Sequence, residues 1–360
     1  MKTHELFMRQ ALELARLGIG TVSPNPLVGA VIVSQDRVVS TGYHKAPGLP
    51  HAEAMAISEA KESLEGATLY CNLEPCCHTN KRTPPCTEAI IANKISRVVI
   101  AARDPNPLVS GKGVERLKSA GIEVIEGVLE SEALELNRVF YKVMQTSLPY
   151  LHLKWAQTLD GKMVSHLGDS KWISDLTARE EVHKLRFAYD AVMIGRLTLE
   201  KDNPELSIRL IDNQGKIPKR IVVGDLSKMD FASNLLSEKT EHTIVITPTP
   251  TQELLEMIQA LGIKLIDSKN KTFTDCLKEL AELGVHSCLV EGGPKLLTSL
   301  IEDNSYDRMT IYLCPVILGN GHSFYENPSR KMSEAIRING MTSSKLGEQV
   351  VLTIDRKETL

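Results

Sequence analysis

The pattern that most restricts how this chain can fold is a strand–helix alternation that runs twice, broken at Ser147-Leu148-Pro149. In the first run, residues 4–17 place Leu6, Phe7, Ala11 and Leu14 at helical spacing, and Gly18 ends the helix. Residues 28–34 and 37–41 read as a hairpin around Gln35-Asp36, 51–64 as a helix, 67–73 as a strand and 86–93 as a helix. The β-branched run 97–102 reads as a strand buried on both faces. A helix over 111–120, a strand over 122–126 and one closing helix over 131–145 complete the run. The second run has strand patterns at 150–156, 191–194, 220–223, 243–246, 264–266, 287–291 and 309–313, and helical ones at 175–187, 252–261, 272–283 and 294–301. Pro, Gly and Asn mark 203–219 and 315–345 as longer loops. Such alternation predicts α/β layers, and 360 residues suffice for two cores, so the expected domains are 1–146 and 147–360.

Composition narrows the function. A net charge of -3 and only 4% aromatic residues give neither a basic face nor a stacking platform, so nucleic acid is not the expected partner. No stretch reaches transmembrane length, and the charged, amphipathic start does not read as a signal peptide. Seven Cys, an odd number, point to reduced thiols and a cytoplasmic protein.

The chemistry is concentrated in His51-Ala52-Glu53, Pro75-Cys76 and Cys86. His-x-Glu followed by Pro-Cys and a second Cys is the pattern of zinc deaminases. One imidazole and two thiolates leave the fourth tetrahedral position of Zn²⁺ to water, whose pKa the metal lowers. Glu53, two residues from His51, is then the expected proton shuttle. Cys76 and Cys86 are both expected at helix starts, where thiolates are stabilised. Singly, each residue has a plainer reading, a capping His or a buried Cys; jointly they carry the pattern. A structural site with Cys77 or His78 as fourth ligand stays open at this point.

The wider pattern resembles the bifunctional riboflavin-biosynthesis deaminase–reductases. The matching segments are Pro24-Asn25-Pro26-Leu27-Val28-Gly29, Gly42-Tyr43-His44, His51-Ala52-Glu53, Leu73-Glu74-Pro75-Cys76, Arg82-Thr83-Pro84-Pro85-Cys86 and Asp104-Pro105-Asn106-Pro107. Cys76 and Cys86 are one residue further apart than the family usually has its two ligands, and Cys77 stands at the usual spacing. Cys76 is favoured because it follows Glu74-Pro75 and precedes His78 as in the family, with Asn80 or Lys81 as the added residue. In the second half the matches are Leu153-Lys154, Leu159-Asp160-Gly161, Trp172-Ile173-Ser174, Asp202-Asn203-Pro204-Glu205-Leu206, Arg209, Glu291-Gly292-Gly293-Pro294 with Leu296, and Cys314-Pro315 with Leu318-Gly319. Ala156 and Ser174 stand where the family often has Gly and Thr.

The resemblance implies a cytidine-deaminase-like α/β/α layer sandwich followed by a dihydrofolate-reductase-like α/β domain. It implies Zn²⁺ and NADPH as cofactors, phosphorylated aminopyrimidines as substrates, and a homo-oligomer. His51, Cys76 and Cys86 would hold the metal and Glu53 would be catalytic. Asn25, His44, His78, Arg82, Asp104 and Asn106 would contact the first substrate, with Lys112 beside its ribose phosphate. Ala156, Trp172, Thr198, Asp202, Gly292, Gly293, Pro294, Lys295, Leu296 and Leu297 would contact NADPH. Lys154, Ser170, Arg186, Leu206, Arg209 and Glu291 would contact the second substrate. The rival readings are a monofunctional deaminase with a scaffold domain and a nucleic-acid-editing deaminase.

Overall fold

The computed structural model describes residues 2–78, 84–169, 173–225, 227, 229–248, 250–325 and 330–356. It divides into two compact units, Met1–Ser147 and Leu148–Leu360.

The first unit runs α1 (Lys2–Arg16), β1 (Gly29–Ser34), β2 (Arg37–Tyr43), α2 (Ala52–Glu59), β3 (Thr68–Leu73), α3 (Cys86–Ala92), β4 (Arg97–Ala102), α4 (Lys112–Ser119), β5 (Glu123–Ile125), α5 (Glu130–Leu136) and α6 (Arg138–Thr146). Its sheet has the order β2-β1-β3-β4-β5, antiparallel on the β1 side and parallel from β3 to β5. The two-residue period of β1 explains the layers. Ala30 and Ile32 pack with Ala52 and Ala56 of α2, while Val31 and Val33 pack with Phe7, Met8 and Ala11 of α1. All four strand residues are buried, which accounts for the near-continuous apolar runs of β1 and β4. Gly42 lets α2 sit directly on β2, because a Cβ there would lie 2.3 Å from the Ala52 carbonyl oxygen.

The second unit runs β6 (Tyr150–Thr158), β7 (Val164–Ser165), α7 (Leu176–Ala188), β8 (Ala191–Gly195), α8 (Arg196–Asp202), β9 (Lys219–Val223), α9 (Asn234–Ser237), β10 (Thr243–Thr247), α10 (Gln252–Ala260), β11 (Lys264–Asp267), α11 (Phe273–Glu282), β12 (Ser287–Gly292), α12 (Pro294–Glu302), β13 (Arg308–Cys314), β14 (Gly321–His322), β15 (Met341–Leu346) and β16 (Gln349–Asp355). Nine strands form one sheet in the order β11-β10-β9-β8-β12-β6-β13-β16-β15, and β7 pairs with β14 in a separate ribbon. The strands from β11 to β13 are parallel; β16 and β15 close the edge antiparallel. Met193 faces a core shared with α11 and α12, and its neighbours Val192 and Ile194 face one shared with α8, α9 and α10.

Several elements depart from the sequence reading, β7, α9 and β16 among them, which it left unassigned. The closing helix over 131–145 is two helices, α5 and α6, broken at Asn137. That side chain turns inward, accepting the Leu27 backbone N–H at 2.8 Å and donating to the Leu27 carbonyl at 2.9 Å. The helix read over 51–64 stops at Glu59, and Leu64 reaches the core from irregular backbone. The short helix α8 went unread. The loop expected over 315–345 contains β14 and most of β15, whose first five residues are all exposed and so show no apolar alternation.

Candidate functional site

In the first unit, one end of the sheet gathers the residues singled out above. Asn25 precedes β1, His44 follows β2, Cys76 follows β3, and Asp104 follows the neighbouring parallel strand β4. That is the crevice beyond the strand C-termini where open α/β sheets bind ligands. His51 caps α2 with extended backbone and no side-chain capping bond, so its ring turns to the crevice. Its Nδ1 lies 3.5 Å from both Cys76 Sγ and Cys86 Sγ. The ligand atoms of His51, Cys76 and Cys86 fall within 4.8 Å of one another, and theirs is the metal-competent cluster among the described residues; Cys77 is not in it. One nitrogen and two sulfurs are a donor set that suits Zn²⁺ and leaves a position open.

Cys86 opens α3 as expected, whereas Cys76 lies in irregular backbone rather than at a helix start. Its sulfur receives the Cys86 backbone N–H at 3.4 Å instead. The Pro75–Cys76 turn is backed by α4, where a Cβ on Gly113 would lie 2.2 Å from the Pro75 carbonyl oxygen. Glu74, buried beside it, accepts backbone N–H groups from Asp104, Gly111 and Val114.

A cavity of about 460 Å³ lies against this cluster, lined among others by Asn25, His44, His51, Glu53, Cys76, His78, Asp104 and Asn106. Glu53 is 3% exposed; burial raises its carboxyl above the usual range, and the Cys76 charge adds to this. Asn25 Nδ2 and His44 Nε2 are 2.9 Å apart, and His44 Nδ1 is 3.1 Å from the Pro50 carbonyl. Donation to that carbonyl puts the proton on Nδ1 and makes Nε2 the acceptor from Asn25. Burial lowers the His44 pKa, in keeping with a neutral ring. Asp104, pushed up to about 6 mainly by burial, accepts the Asn106 backbone N–H. Lys112 points away to the Pro107 carbonyl and does not line the cavity. Arg82, Asn80 and Lys81 lie outside the described residues.

The second unit holds a larger cavity of about 880 Å³ at the C-terminal ends of β6, β8, β9 and β12. Lys154, Ala156, Thr198, Asp202, Leu206, Arg209 and Glu291 line it, as do Arg186 and the residues 293–296. Gly292 and Leu297, read with them, do not: Leu297 is fully buried beneath Gly292, where it supports the turn. Ser170 and Trp172 lie outside the described residues. Gly292 and Gly293 both take positive φ, and a Cβ on Gly293 would lie 2.7 Å from Thr198 Oγ1. The pair thus opens a concave cradle at the start of α12, which begins with Pro294 and presents free N–H groups suited to an anion. Lys154 Nζ sits over the Tyr312 ring, 5.3 Å from its centroid. Burial lowers the Lys154 pKa, as does the Arg186 charge, against the pull of Glu291. Glu291 is held low despite its burial, because Arg186 grips it at 2.5 and 2.9 Å. The cavity also takes in Arg196, Lys201, Gly224 and His322, which sequence reasoning missed; α8, which carries two of them, is too short for a helical period to show.

Each of the two units matches a known protein family. Residues 149–352 match the model of the RibD C-terminal domain, and residues 1–102 match that of the cytidine and deoxycytidylate deaminase zinc-binding region. The chain is 42% identical to riboflavin biosynthesis protein RibD of Aquifex aeolicus, over 97% of this chain and 98% of that one. It is 37% identical to the Escherichia coli protein of that name, over 88% and 89%. Among solved structures it is similar to the Thermotoga maritima diaminohydroxyphosphoribosylaminopyrimidine deaminase/5-amino-6-(5-phosphoribosylamino)uracil reductase, with TM-score 0.89, 36% identity and coverage of 98% and 99%. It is equally similar to Acinetobacter baumannii RibD, with TM-score 0.89, 35% identity and 99% of both chains covered. A cytidine-deaminase-like unit with a zinc-binding region is thus joined to a reductase unit of the dihydrofolate-reductase-like kind. The chain belongs to the RibD family, the bifunctional deaminase–reductases of riboflavin biosynthesis.

Proposed function

We propose that the first unit deaminates 2,5-diamino-6-ribosylamino-4(3H)-pyrimidinone 5′-phosphate, and that the second reduces the ribosyl group of the product to ribityl with NADPH. The Thermotoga maritima relative, a diaminohydroxyphosphoribosylaminopyrimidine deaminase and 5-amino-6-(5-phosphoribosylamino)uracil reductase, supports these substrates. The observation that carries the first step is the grouping of His51, Cys76 and Cys86 beside a buried Glu53. Zn²⁺ held by those three side chains supplies an acidified water. Glu53 would take one proton from that water and pass it to the ring nitrogen as the oxygen adds to the amine-bearing carbon. It would then carry the proton of the resulting hydroxyl to the amine, so that the C–N bond breaks, the carbonyl forms and ammonia leaves. Asn25 and His44 form one wall of the pyrimidine pocket, and His78, Asp104 and Asn106 border its ribose side; Arg82 belongs to the same reading.

In the second unit, Ala156, Thr198, Asp202 and residues 293–296 bind NADPH, with Trp172 as a further expected contact; the positive-φ glycines at the start of α12 support a phosphate there. NADPH supplies a hydride to the open-chain sugar carbon. Lys154 gives the accompanying proton to the sugar oxygen, and its lowered pKa suits a donor. Leu206 and Glu291 surround the sugar, and Ser170 is a further expected contact. Arg186 has three of its guanidinium donors engaged, two with Glu291 and one with the Ser207 carbonyl. The substrate phosphate therefore goes to the exposed Arg209, whose Nη1 donates to the Ser207 hydroxyl at 3.3 Å.

A homo-oligomer and a cytoplasmic setting complete the reading. The seven free thiols support the latter. Among the described residues, no helix is long and apolar enough to cross a membrane.

The test is Glu53→Gln. Zinc content is expected to be retained and deamination lost, by at least about 100-fold, while reduction of supplied deaminated intermediate continues. A folded variant that loses both activities would overturn the assignment of the two steps to separate cavities.

A further inference from the structure

One buried histidine belongs to neither set of residues named above. His183 lies on α7, three residues before Arg186 and therefore on the same helical face, and is 4% exposed. Its Nδ1 accepts the backbone N–H of Arg209 at 3.1 Å. One turn further on, Arg186 Nη1 donates to the Ser207 carbonyl at 2.8 Å. Two side chains of one helix thus grip a single short segment, at residues 207 and 209. The segment needs such a grip. It begins at Leu206, a buried non-glycine residue at φ 52°, a left-handed conformation that persists only where its surroundings impose it. His183 does not itself line the cavity, whereas Leu206 and Arg209 do.

We propose that His183 is a positioning residue for phosphate recognition in the reductase cavity: by accepting the Arg209 amide it fixes where the Arg209 guanidinium stands. The proposal rests on the reading that Arg209 takes the substrate phosphate. The bond requires an unprotonated Nδ1, and the surroundings keep it so. Burial, then the charges of Arg186 and Arg209, hold the His183 pKa down to about 4, against the opposing pull of Glu291. At neutral pH the ring is therefore an acceptor, and the proton resides on Nε2.

Leucine at 183 fills the space without accepting a hydrogen bond, and asparagine places an amide oxygen near the site of Nδ1. In steady-state reduction at saturating NADPH, His183→Leu is expected to raise KM for the phosphorylated substrate about tenfold, the size of one lost buried hydrogen bond. The KM for its dephosphorylated counterpart should move far less, so the ratio between the two substrates falls. His183→Asn should restore the ratio to within about threefold of the parent. A merely structural role would move both substrates together and gain nothing from asparagine. Arg209→Ala separates the two ideas. If that variant leaves the ratio intact, the phosphate reading falls and this proposal with it. If it collapses the ratio while His183→Leu preserves it, the positioning role alone is overturned. His183→Ala replaces the leucine variant should the latter not fold, with an unchanged KM for NADPH and an unchanged urea-unfolding transition of the second unit as the check on integrity.

Discussion

Asp104 shows what one buried carboxyl can cost in stability. Its carboxyl is 8% exposed, and its pKa lies near 6 instead of the ordinary 3.8, chiefly because burial disfavours the charge. Below about pH 3.8 the group is neutral in both folded and unfolded chains and contributes no pH dependence. Between those two values the unfolded chain ionises first, so stability falls as pH rises; above about 6 the penalty is complete. Two pH units correspond to roughly 3 kcal/mol at most. Asp104→Asn keeps an acceptor for the Asn106 N–H and removes the penalty. The variant should therefore be more stable than the parent at pH 7.5, by up to that amount, and about equal at pH 4, in urea unfolding followed at both values. The residues of the metal cluster were legible in the sequence because zinc chemistry demands particular donors around a particular motif. His183 was not, since its partner is a backbone amide 26 residues away and every residue type but proline supplies one.

At the level of elements, the break between α5 and α6 is the instructive case. Residues 131–145 have an unbroken helical pattern, and Asn137 is as plausible on a solvated face as at a break. Its target, Leu27, lies 110 positions earlier, so the reason for the break is a long-range contact that local periodicity does not contain. Asn72 also donates to the Leu27 carbonyl, at 2.9 Å, so that oxygen keeps a partner without Asn137. The Leu27 N–H has Asn137 Oδ1 as its acceptor. Asn137→Ala should thus strand one buried donor and cost about 1–3 kcal/mol. A larger KM for deamination should accompany the loss, because Pro26 and Val28, on either side of Leu27, line that cavity. Unfolding in urea and steady-state kinetics measure the two effects. The central strands were readable within a residue or two because burial on both faces leaves continuous β-branched runs, as in β4. The edge strand β15 was not: its exposed Thr342, Ser343 and Ser344 satisfy the ladder without any apolar pattern.

For the molecule as a whole, the restart of the alternation after Pro149 was the readable feature, and the structure divides at Ser147 and Leu148. The interior of the second cavity was harder to foresee, because Arg196, Gly224 and His322 come from separate elements that only the folded sheet brings together. Each unit has its own cores. Withdrawal of zinc with a chelator should therefore act on one half. Binding at 1,000 times Kd contributes about 4 kcal/mol to the state that holds the metal. The expected outcome is lost deamination and a lower unfolding temperature for the first unit, with reduction of supplied intermediate unaltered. Calorimetry and a nicotinamide-absorbance assay follow the two.

Among the described residues, no strand is shared between the five-stranded and the nine-stranded sheet. Damage within one cavity is therefore expected to spare the other. An inherited defect in one cavity leaves a gene product still competent in the other, and two such alleles, each broken on a different side, would together keep a cell supplied when the intermediate travels through solvent between them. Selection can accordingly prune or refine either chemistry without rewriting its neighbour.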